Sequence, residues 1–209
     1  MSEIKEKMNV KESLSYIFLK NPVLVLGLVI GQLAAGDTTL QNGVALSVAY
    51  LFIVVPVLVF ASVIGKKLPE WLKTVSYVLI SAFMLIPAYF VCSGFSATIF
   101  DSLGIYPALL AVSTVPVAFA RKIAEKQSAS SAALTGLCIG AGFAITAVIL
   151  GAAREFFGSG SLWGIRIAEG IYPAVKLPFW GFILLGFMAA GVSAVSDLIK
   201  KGEAEEEKA

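Results

Sequence analysis

Four long apolar runs, separated by short polar connectors, constrain the fold of this chain more than any other feature. Each has about 20 residues, the length that a helix needs to cross the hydrocarbon core of a bilayer. They cover residues 43–64, 74–94, 132–153 and 179–198. Hydrophobic residues make up 58% of the 209-residue chain and charged residues only 14%, which differs strongly from a soluble domain. The sequence therefore predicts an all-α integral membrane protein with one membrane domain.

A shorter apolar run precedes the long runs in each half of the chain. NPVLVLGLVIGQLAAG covers residues 21–36, and YPALLAVSTVPVAF covers residues 106–119. Each is too short to cross a bilayer as one straight helix, so each is predicted to be a half-length or re-entrant element. Short segments interrupted by Pro or Gly, in matching positions of two halves, indicate a pseudo-symmetric site near the membrane midplane.

The order short, long, long occurs twice and predicts six transmembrane segments in two three-helix repeats, about 21–95 and about 105–198. Because each repeat crosses three times, the second enters from the opposite face, so the repeats are expected to be inverted, with the first and fourth segments half-length. Residues 1–20 are predicted to be a cytoplasmic tail with an interfacial amphipathic helix, and residues 199–209 a disordered acidic cytoplasmic tail. A signal peptide is the alternative for the first run, and the matching run in the second half argues against it.

Basic residues are distributed unevenly between the two sides of this predicted topology. Of the 16 Lys and Arg residues, only Arg154, Arg166 and Lys176 fall on the side opposite the N-terminus. Cytoplasmic loops carry an excess of Lys and Arg. The sequence therefore predicts a multi-pass protein of a bacterial or archaeal cell (inner) membrane with both termini in the cytoplasm.

Several kinds of chemistry are excluded or disfavoured by residue content. The chain has no histidine, which excludes histidine-ligated haem, histidine metal sites and Ser-His catalysis. Cys92 and Cys138 are predicted to lie at different depths in the membrane, so we expect neither a disulfide nor a shared metal. No charged residue lies clearly in the middle of a predicted segment. This favours a subunit role over an autonomous ion-coupled transporter.

Polar and small residues mark two further places in the second half. Arg154 and Glu155 either pair with each other at the outer interface or belong to a site. The sequence Gly158-Ser159-Gly160 is either a turn or a small anion-binding nest. A stripe of small residues at four-residue spacing on the fifth segment predicts close helix packing, either within the chain, which we favour, or against a partner subunit; it comprises Ala132, Gly136, Gly140 and Ala144.

Four stretches carry a family resemblance that extends over nearly the whole chain. They are NPVLV at 21–25, LGIY at 103–106, GAGFAITAVILGAAREFFGSGSLWG at 140–164 and LPFWGFILLG at 177–186. The chain resembles the paired six-helix membrane subunits of the Rnf electron-transport complex and of the sodium-pumping NADH:quinone oxidoreductase (Nqr). Within that family it is similar to the E subunit of Rnf and the D subunit of the quinone reductase.

The resemblance implies a membrane-embedded iron-sulfur centre, to which two subunits of opposite orientation each contribute a cysteine from their first and fourth segments. The corresponding positions here are Gly31 and Thr114. Neither residue can replace a thiolate ligand to iron. We therefore expect that this chain has lost both cluster ligands and binds no cofactor through its own side chains.

The resemblance implies a non-catalytic membrane subunit of an ion-translocating oxidoreductase (translocase) complex. Its expected partners are an oppositely oriented homologue and other Rnf/Nqr-type subunits in membrane lipid, and not nucleic acid. A cluster-free small-solute or ion transporter, or a substrate-binding membrane subunit, remains the alternative, and a chiefly structural partner is a third possibility. Gln32, Ser113 and Thr114, beside Gly31, are the polar candidates for binding a sodium ion, a proton or a neutral solute.

Overall fold

The computed structural model describes residues 13–18, 20–170 and 172–206, and these form mostly helices. The α-helices are α1 (Ile30–Gly36), α2 (Leu40–Ile64), α3 (Glu70–Leu103), α4 (Tyr106–Ala111), α5 (Thr114–Lys122), α6 (Ala129–Ser159) and α7 (Pro178–Glu206), of which α1, α4 and α5 are short. Three 3-10 turns, Gly65–Lys67, Ala124–Lys126 and Pro173–Lys176, and an antiparallel hairpin of β1 (Ser161–Leu162) and β2 (Ile165–Arg166) complete the described elements.

Five helical stretches of the described chain are long and apolar enough to cross a membrane. They are Leu40–Lys67, Glu70–Gly94, Tyr106–Lys126, Ala129–Ser159 and Pro178–Leu198. The prediction of an all-α integral membrane protein is confirmed. The fourth segment differs from expectation, because Tyr106–Lys126 has 21 residues and could span the bilayer by length although it is interrupted.

Helix α2 lies at the centre of the fold and contacts α3, α4, α5 and α6. Its side chains Tyr50, Ile53 and Val57 are fully buried. Tyr50 stacks on Phe143 of α6, with the ring centroids 4.3 Å apart. An apolar helix that is enclosed on several sides is what a nearly continuous hydrophobic sequence produces. Helices α3 and α7 lie at the periphery and expose apolar faces that suit lipid or a neighbouring subunit.

The small-residue stripe on α6 packs against α2. A Cβ atom built on Gly136 would lie 3.1 Å from the Cα atom of Val55, and one built on Gly140 would collide with the side chain of Leu51. Without hydrophobic attraction between helices in lipid, close packing through small residues is a main source of association. The prediction that this stripe serves packing within the chain is confirmed.

We predict that Gly136→Ala destabilises the protein by about 1–3 kcal/mol, because the new methyl group meets the α2 backbone, which cannot move aside as a flexible side chain would. Thermal unfolding of the purified protein in detergent measures the effect. Gly186→Ala on α7 is the matched control, since its added Cβ would meet nothing within 4 Å. Equal losses of stability in the two variants would contradict the packing role of Gly136.

A polar network joins the start of α3 to the end of the fourth segment. Lys73 Nζ lies 2.7 Å from Glu70 Oε1 and 2.9 Å from Glu125 Oε2. The Tyr77 hydroxyl donates to Glu125 Oε1 at 2.8 Å, and Arg121 donates to Glu70 Oε2 at 2.8 Å. Because Lys73 is buried, its charge requires these carboxylates. The network holds the basic end of the fourth segment against α3.

The described part of the N-terminal tail packs against the membrane domain. Ser13 shares a hydrogen bond of 2.9 Å with Thr135, and Tyr16 meets Phe119 edge to face, with the centroids 5.4 Å apart. Phe18 is exposed, so the segment has one buried and one exposed side. The remainder of the predicted amphipathic helix, residues 1–12 and 19, lies outside the described residues.

The last helix extends into the C-terminal tail. Helix α7 continues to Glu206, whereas the sequence predicts a disordered tail over residues 199–209. The tail is rich in Lys, Glu and Ala, which have high helix propensity and can extend a helix that already exists. Residues 207–209 lie outside the described part of the chain.

Candidate functional site

Asn21 fixes the beginning of the first segment. Its Oδ1 accepts hydrogen bonds from the backbone N–H groups of Val23 and Leu24, at 2.9 and 3.1 Å. Its amide nitrogen donates to the carbonyl oxygen of Gly142 on α6 at 2.9 Å. One buried side chain thus caps the first turn and ties it to α6. The Asn-Pro pair at the start of the apolar run is the sequence signal for this turn.

The first segment is broken between this turn and α1. Gly27 and Val29 both have left-handed backbone conformations, with φ of 66° and 55°. Glycine adopts such a conformation freely, whereas a β-branched residue is strained there. Helix α1 then has only 7 residues. The interruption predicted from the length of the apolar run is therefore present, and it contains a strained valine of the kind that often marks a functional segment.

The fourth segment is broken between α4 and α5. Pro107 lies in the first turn of α4 and Pro116 in the first turn of α5. A proline is tolerated in the first helical turn, but its missing N–H and its ring prevent the preceding helix from continuing through it. The break falls at Val112 and Ser113, where the backbone leaves the helical conformation.

The two candidate cluster positions occupy corresponding places in these broken segments. Gly31 is the second residue of α1 and Thr114 the first residue of α5, so each lies in the helical turn after a break. Both are exposed, and a Cβ atom added at Gly31 would meet nothing within 4 Å. Gln32 is half-buried, and the buried Ser113 Oγ has no hydrogen-bond partner among the described residues. The described contacts do not join these polar residues into one site.

The donor atoms at these positions do not fit an iron-sulfur centre. Gly31 has no side chain and Thr114 offers a hydroxyl, whereas such clusters are held by thiolates or, in Rieske centres, by imidazoles as well. The described residues contain no group of three or more His, Cys, Asp or Glu that could hold a metal ion. Cys92 and Cys138 are free and buried.

Close backbone packing brings the end of α1 to the start of α4. A Cβ atom on Gly36 would lie 2.7 Å from Cγ of Tyr106. The ring of Tyr106 therefore lies directly on the α1 backbone. This contact joins the first and the fourth segment. It lies at the end of α1, whereas Gly31 lies near its start, and at the start of α4, whereas Thr114 lies at the start of α5.

Arg154 donates five hydrogen bonds, all to backbone carbonyl groups. It is fully buried near the end of α6. Its guanidinium donates to the carbonyl oxygens of Ala34 and Asp37 at 2.8 and 2.7 Å, at the end of α1. It also donates to three carbonyl oxygens at the end of the 3-10 turn before α7 and directly after it, those of Val175, Lys176 and Leu177, at 3.1, 2.6 and 3.1 Å.

All five N–H donors of a guanidinium can be satisfied in this way. The carbonyl ends of helices carry partial negative charge, which a buried cation stabilises. We call the region formed by the end of α6, the connector at residues 37–39 and the turn Pro173–Lys176 the Arg154 junction. The junction positions α1 and α7 relative to the core.

Glu155 binds the opposite kind of backbone group. Its Oε2 accepts from the N–H of Leu40, the first residue of α2, at 2.9 Å, and its Oε1 accepts from Gly164 N at 2.7 Å and Ser161 Oγ at 3.0 Å. The carboxylate therefore caps α2 and holds the base of the hairpin. One interpretation of the sequence was that Arg154 and Glu155 pair with each other at an exposed interface. In the structure they bind separate backbone groups instead.

Gly158, Ser159 and Gly160 form the end of α6. Gly160 has φ of 66° and its N–H donates to Phe156 O, which closes the helix in a left-handed turn. Ser159 Oγ donates to Glu155 O at 3.0 Å. A Cβ atom on Gly158 would lie 2.9 Å from Cγ of Lys176, so this glycine permits the turn before α7 to pack closely. The hydrogen bonds of Gly160 and Ser159 therefore serve to end the helix.

Asp37 is a buried ionisable residue that sequence reasoning missed. It is fully buried at the end of α1, and neither carboxylate oxygen has a hydrogen-bond partner among the described residues. In the sequence, Asp37-Thr38-Thr39 before an apolar run looks like an ordinary helix cap, and Thr39 does cap α2. Only the packing of α6 against the connector reveals that the carboxylate is enclosed.

The broken segments, the apolar periphery and the buried Arg154 junction are those of a multi-pass membrane protein with interrupted helices. A family model described as "Rnf-Nqr subunit, membrane protein" matches residues 9–196. The chain belongs to the Rnf-Nqr family of membrane subunits.

Curated relatives match the chain over most of its length. It is 29% identical, over 188 residues covering 88% of each chain, to the E subunit of the proton-translocating ferredoxin:NAD(+) oxidoreductase complex of Clostridium ljungdahlii. It is 25% identical, over 205 residues covering 90% of this chain and 88% of the relative, to the E subunit of the ion-translocating oxidoreductase complex of Shewanella oneidensis. The E subunit of the same complex in Shewanella loihica is 28% identical over 190 residues, covering 83% of this chain and 82% of the relative.

Proposed function

We propose that this chain is an E-type membrane subunit of an Rnf/Nqr-type ion-translocating oxidoreductase complex and that it contributes no iron ligand of its own. The observation that carries the proposal is the match to E-subunit relatives over nearly the whole chain. The two broken segments support it, because they present Gly31 and Thr114 in corresponding exposed positions. The non-thiol residues there support the loss of the cluster.

The proposed topology has six membrane segments in two inverted repeats, with both termini in the cytoplasm. In this arrangement α1 runs from the midplane towards the outer side and α5 from the midplane towards the cytoplasm. The basic residues at the end of α5, Arg121 and Lys122, support the cytoplasmic position of that end. The proposed partner is an oppositely oriented homologue, which would cover the exposed turns after the two breaks.

Copurification in a mild detergent tests the complex. We expect the tagged chain, extracted from its native membrane, to bring with it flavin- and iron-sulfur-bearing subunits and an oppositely oriented homologue, identified by mass spectrometry. Recovery of the chain alone, or with an ATPase module or a solute-binding protein, would overturn the proposal. External labelling of Lys66 or Lys122 in intact cells would overturn the orientation.

A cluster-free ion transporter on the same scaffold is the second candidate function. One observation favours it: the buried carboxylate of Asp37, since ionisable groups inside membrane domains often mark ion pathways. Reconstitution of the purified chain in vesicles distinguishes the two functions. Ion flux by the chain alone supports the transporter, whereas flux only in the presence of electron-transferring subunits supports the complex.

A further inference from the structure

The Asp37 carboxyl group is enclosed by the backbone of two helices. A Cβ atom on Gly43 of α2 would lie 2.9 Å from Asp37 Oδ1, and one on Gly151 of α6 would lie 2.5 Å from the same oxygen. Both glycines therefore provide the space that the carboxyl group fills. Substitution of either by a larger residue would displace it.

Two carbonyl oxygens border the Asp37 carboxyl group, besides the N–H of Gly151. The Cβ position on Gly151 lies 2.6 Å from the carbonyl oxygen of Thr39, and the Cβ position on Gly43 lies 2.8 Å from that of Ala147. Two carbonyl oxygens thus border the same small space as Asp37 Oδ1. An ionised carboxylate would repel them, whereas a protonated carboxyl group can donate its hydrogen to one of them.

The N–H donors that follow the connector, at the start of α2, are already engaged, and so is the guanidinium of Arg154. The N–H of Leu40 donates to Glu155 and that of Asn42 donates to Thr39 Oγ1. The guanidinium of Arg154 donates to five backbone carbonyl groups, one of them that of Asp37 itself. The positive charge of Arg154 is near, but its hydrogen atoms are directed elsewhere.

The charges of the Arg154 junction also favour a protonated Asp37 over an ionised one. Arg154 and Glu155 carry opposite charges, and each is satisfied by backbone or hydroxyl groups. An ionised Asp37 would add one uncompensated negative charge to a buried region, which is strongly unfavourable. A single bound proton removes that charge.

We propose that Asp37 is a proton-binding site of the membrane domain, which holds its proton while the connector at residues 37–39 packs on α6 and releases it only when the connector moves away. A proton fits because it needs no additional volume. A metal cation needs a shell of several oxygen ligands, and the backbone at Gly43 and Gly151 occupies the space beside Oδ1. The inference concerns this chain alone and does not depend on the proposed complex.

The surrounding charges agree with this assignment. The ionisable groups on the elements packed around Asp37 include Arg154, Glu155 and Cys138 on α6, Tyr50 on α2, Tyr106 at the start of α4 and Lys176 in the turn before α7. Burial raises the pKa of the Asp37 carboxyl well above its ordinary value, and the positive charge of Arg154 and the nearby N–H of Gly151 offset this only in part. The buried carboxyl group is therefore expected to retain its proton to a higher pH than an exposed aspartate does.

Infrared difference spectroscopy of the full-length chain, purified with the subunits that accompany it, tests the proposal directly. We expect the C=O stretching band of a protonated carboxyl group at neutral pH, shifted in D₂O, in the wild type and absent from Asp37→Asn. The matched control is Glu169→Gln, which removes an exposed carboxylate and should keep the band. Asp37→Ser provides the same comparison if the asparagine variant does not fold.

Thermal unfolding provides a second measurement with a defined sign. A carboxyl whose pKa is raised by folding contributes stability that is fully present below its unfolded pKa of about 4 and is lost as the pH rises through the folded pKa. The melting temperature of the wild type should therefore fall relative to that of Asp37→Asn as the pH rises, while Glu169→Gln follows the wild type. Identical spectra in all variants would overturn the proposal, and so would a band that sodium but not potassium removes, because the latter would indicate a metal-cation site.

Discussion

Replacement of Arg154 by methionine is expected to lower the free energy of unfolding by at least about 3 kcal/mol, because five carbonyl groups, in three buried and two partly buried hydrogen bonds, lose a charged donor at once. Methionine fills a similar volume, so the loss reports the hydrogen bonds and not a cavity. The carbonyl groups belong to the end of α1 and to the turn before α7, and both elements should lose their fixed positions. Thermal unfolding and the yield of folded protein in detergent measure the effect.

Two further variants separate charge from geometry at Arg154. Arg154→Lys retains the positive charge but has three donors on one nitrogen, so it cannot reach both helix ends and should recover only part of the stability. Arg166→Met is the control, because Arg166 is exposed on β2, and its effect should be within about 0.5 kcal/mol. If Arg154→Met unfolds at the same temperature as Arg166→Met, the Arg154 junction does not hold the helices together.

Iron binding is expected when cysteines are introduced at both candidate cluster positions. The double variant Gly31→Cys with Thr114→Cys is produced together with its oppositely oriented homologue. Its iron content should rise from background to that of a stoichiometric cluster, which absorbs visible light. The structure permits both changes, because the Cβ at residue 31 has open space and Thr114 is exposed. Metal analysis and absorption spectra of the purified assembly measure the gain.

The single variants are the controls for this experiment. Gly31→Cys alone and Thr114→Cys alone should fold equally well and bind no cluster, because each supplies only one of the two thiolates that the family resemblance assigns to this chain. Correct assembly of the double variant without iron would show that the turns after the two breaks no longer meet a partner in the geometry of the family.

The membrane class and the helix interruptions could be predicted because they depend on local sequence. Apolar runs long enough for a bilayer leave few alternatives to helices, since every backbone polar group in lipid must be bonded within the segment. Pro107 and Pro116 mark the beginnings of α4 and α5, and Gly27 permits the turn before α1. The helix boundaries were harder to predict, and α7 extends further than its apolar run.

The partners of the buried charges could not be predicted from the sequence. Arg154 binds carbonyl groups of residues up to 120 positions away in the chain, and such contacts leave no periodic pattern. The neighbouring Glu155 invited the simpler interpretation of a local pair. The burial of Asp37 is not evident from the sequence, because a polar residue before a helix normally serves as a cap in water.

Sequence alone determined that this chain is a membrane protein of broken and continuous helices that lacks cysteine at Gly31 and Thr114. These properties follow from hydrophobic length, from backbone chemistry and from the identity of single residues. The tertiary structure alone decided which polar groups are removed from water. Burial depends on how α6 packs against α1 and α2, and it gives Arg154 a structural role and makes a proton-binding role for Asp37 possible.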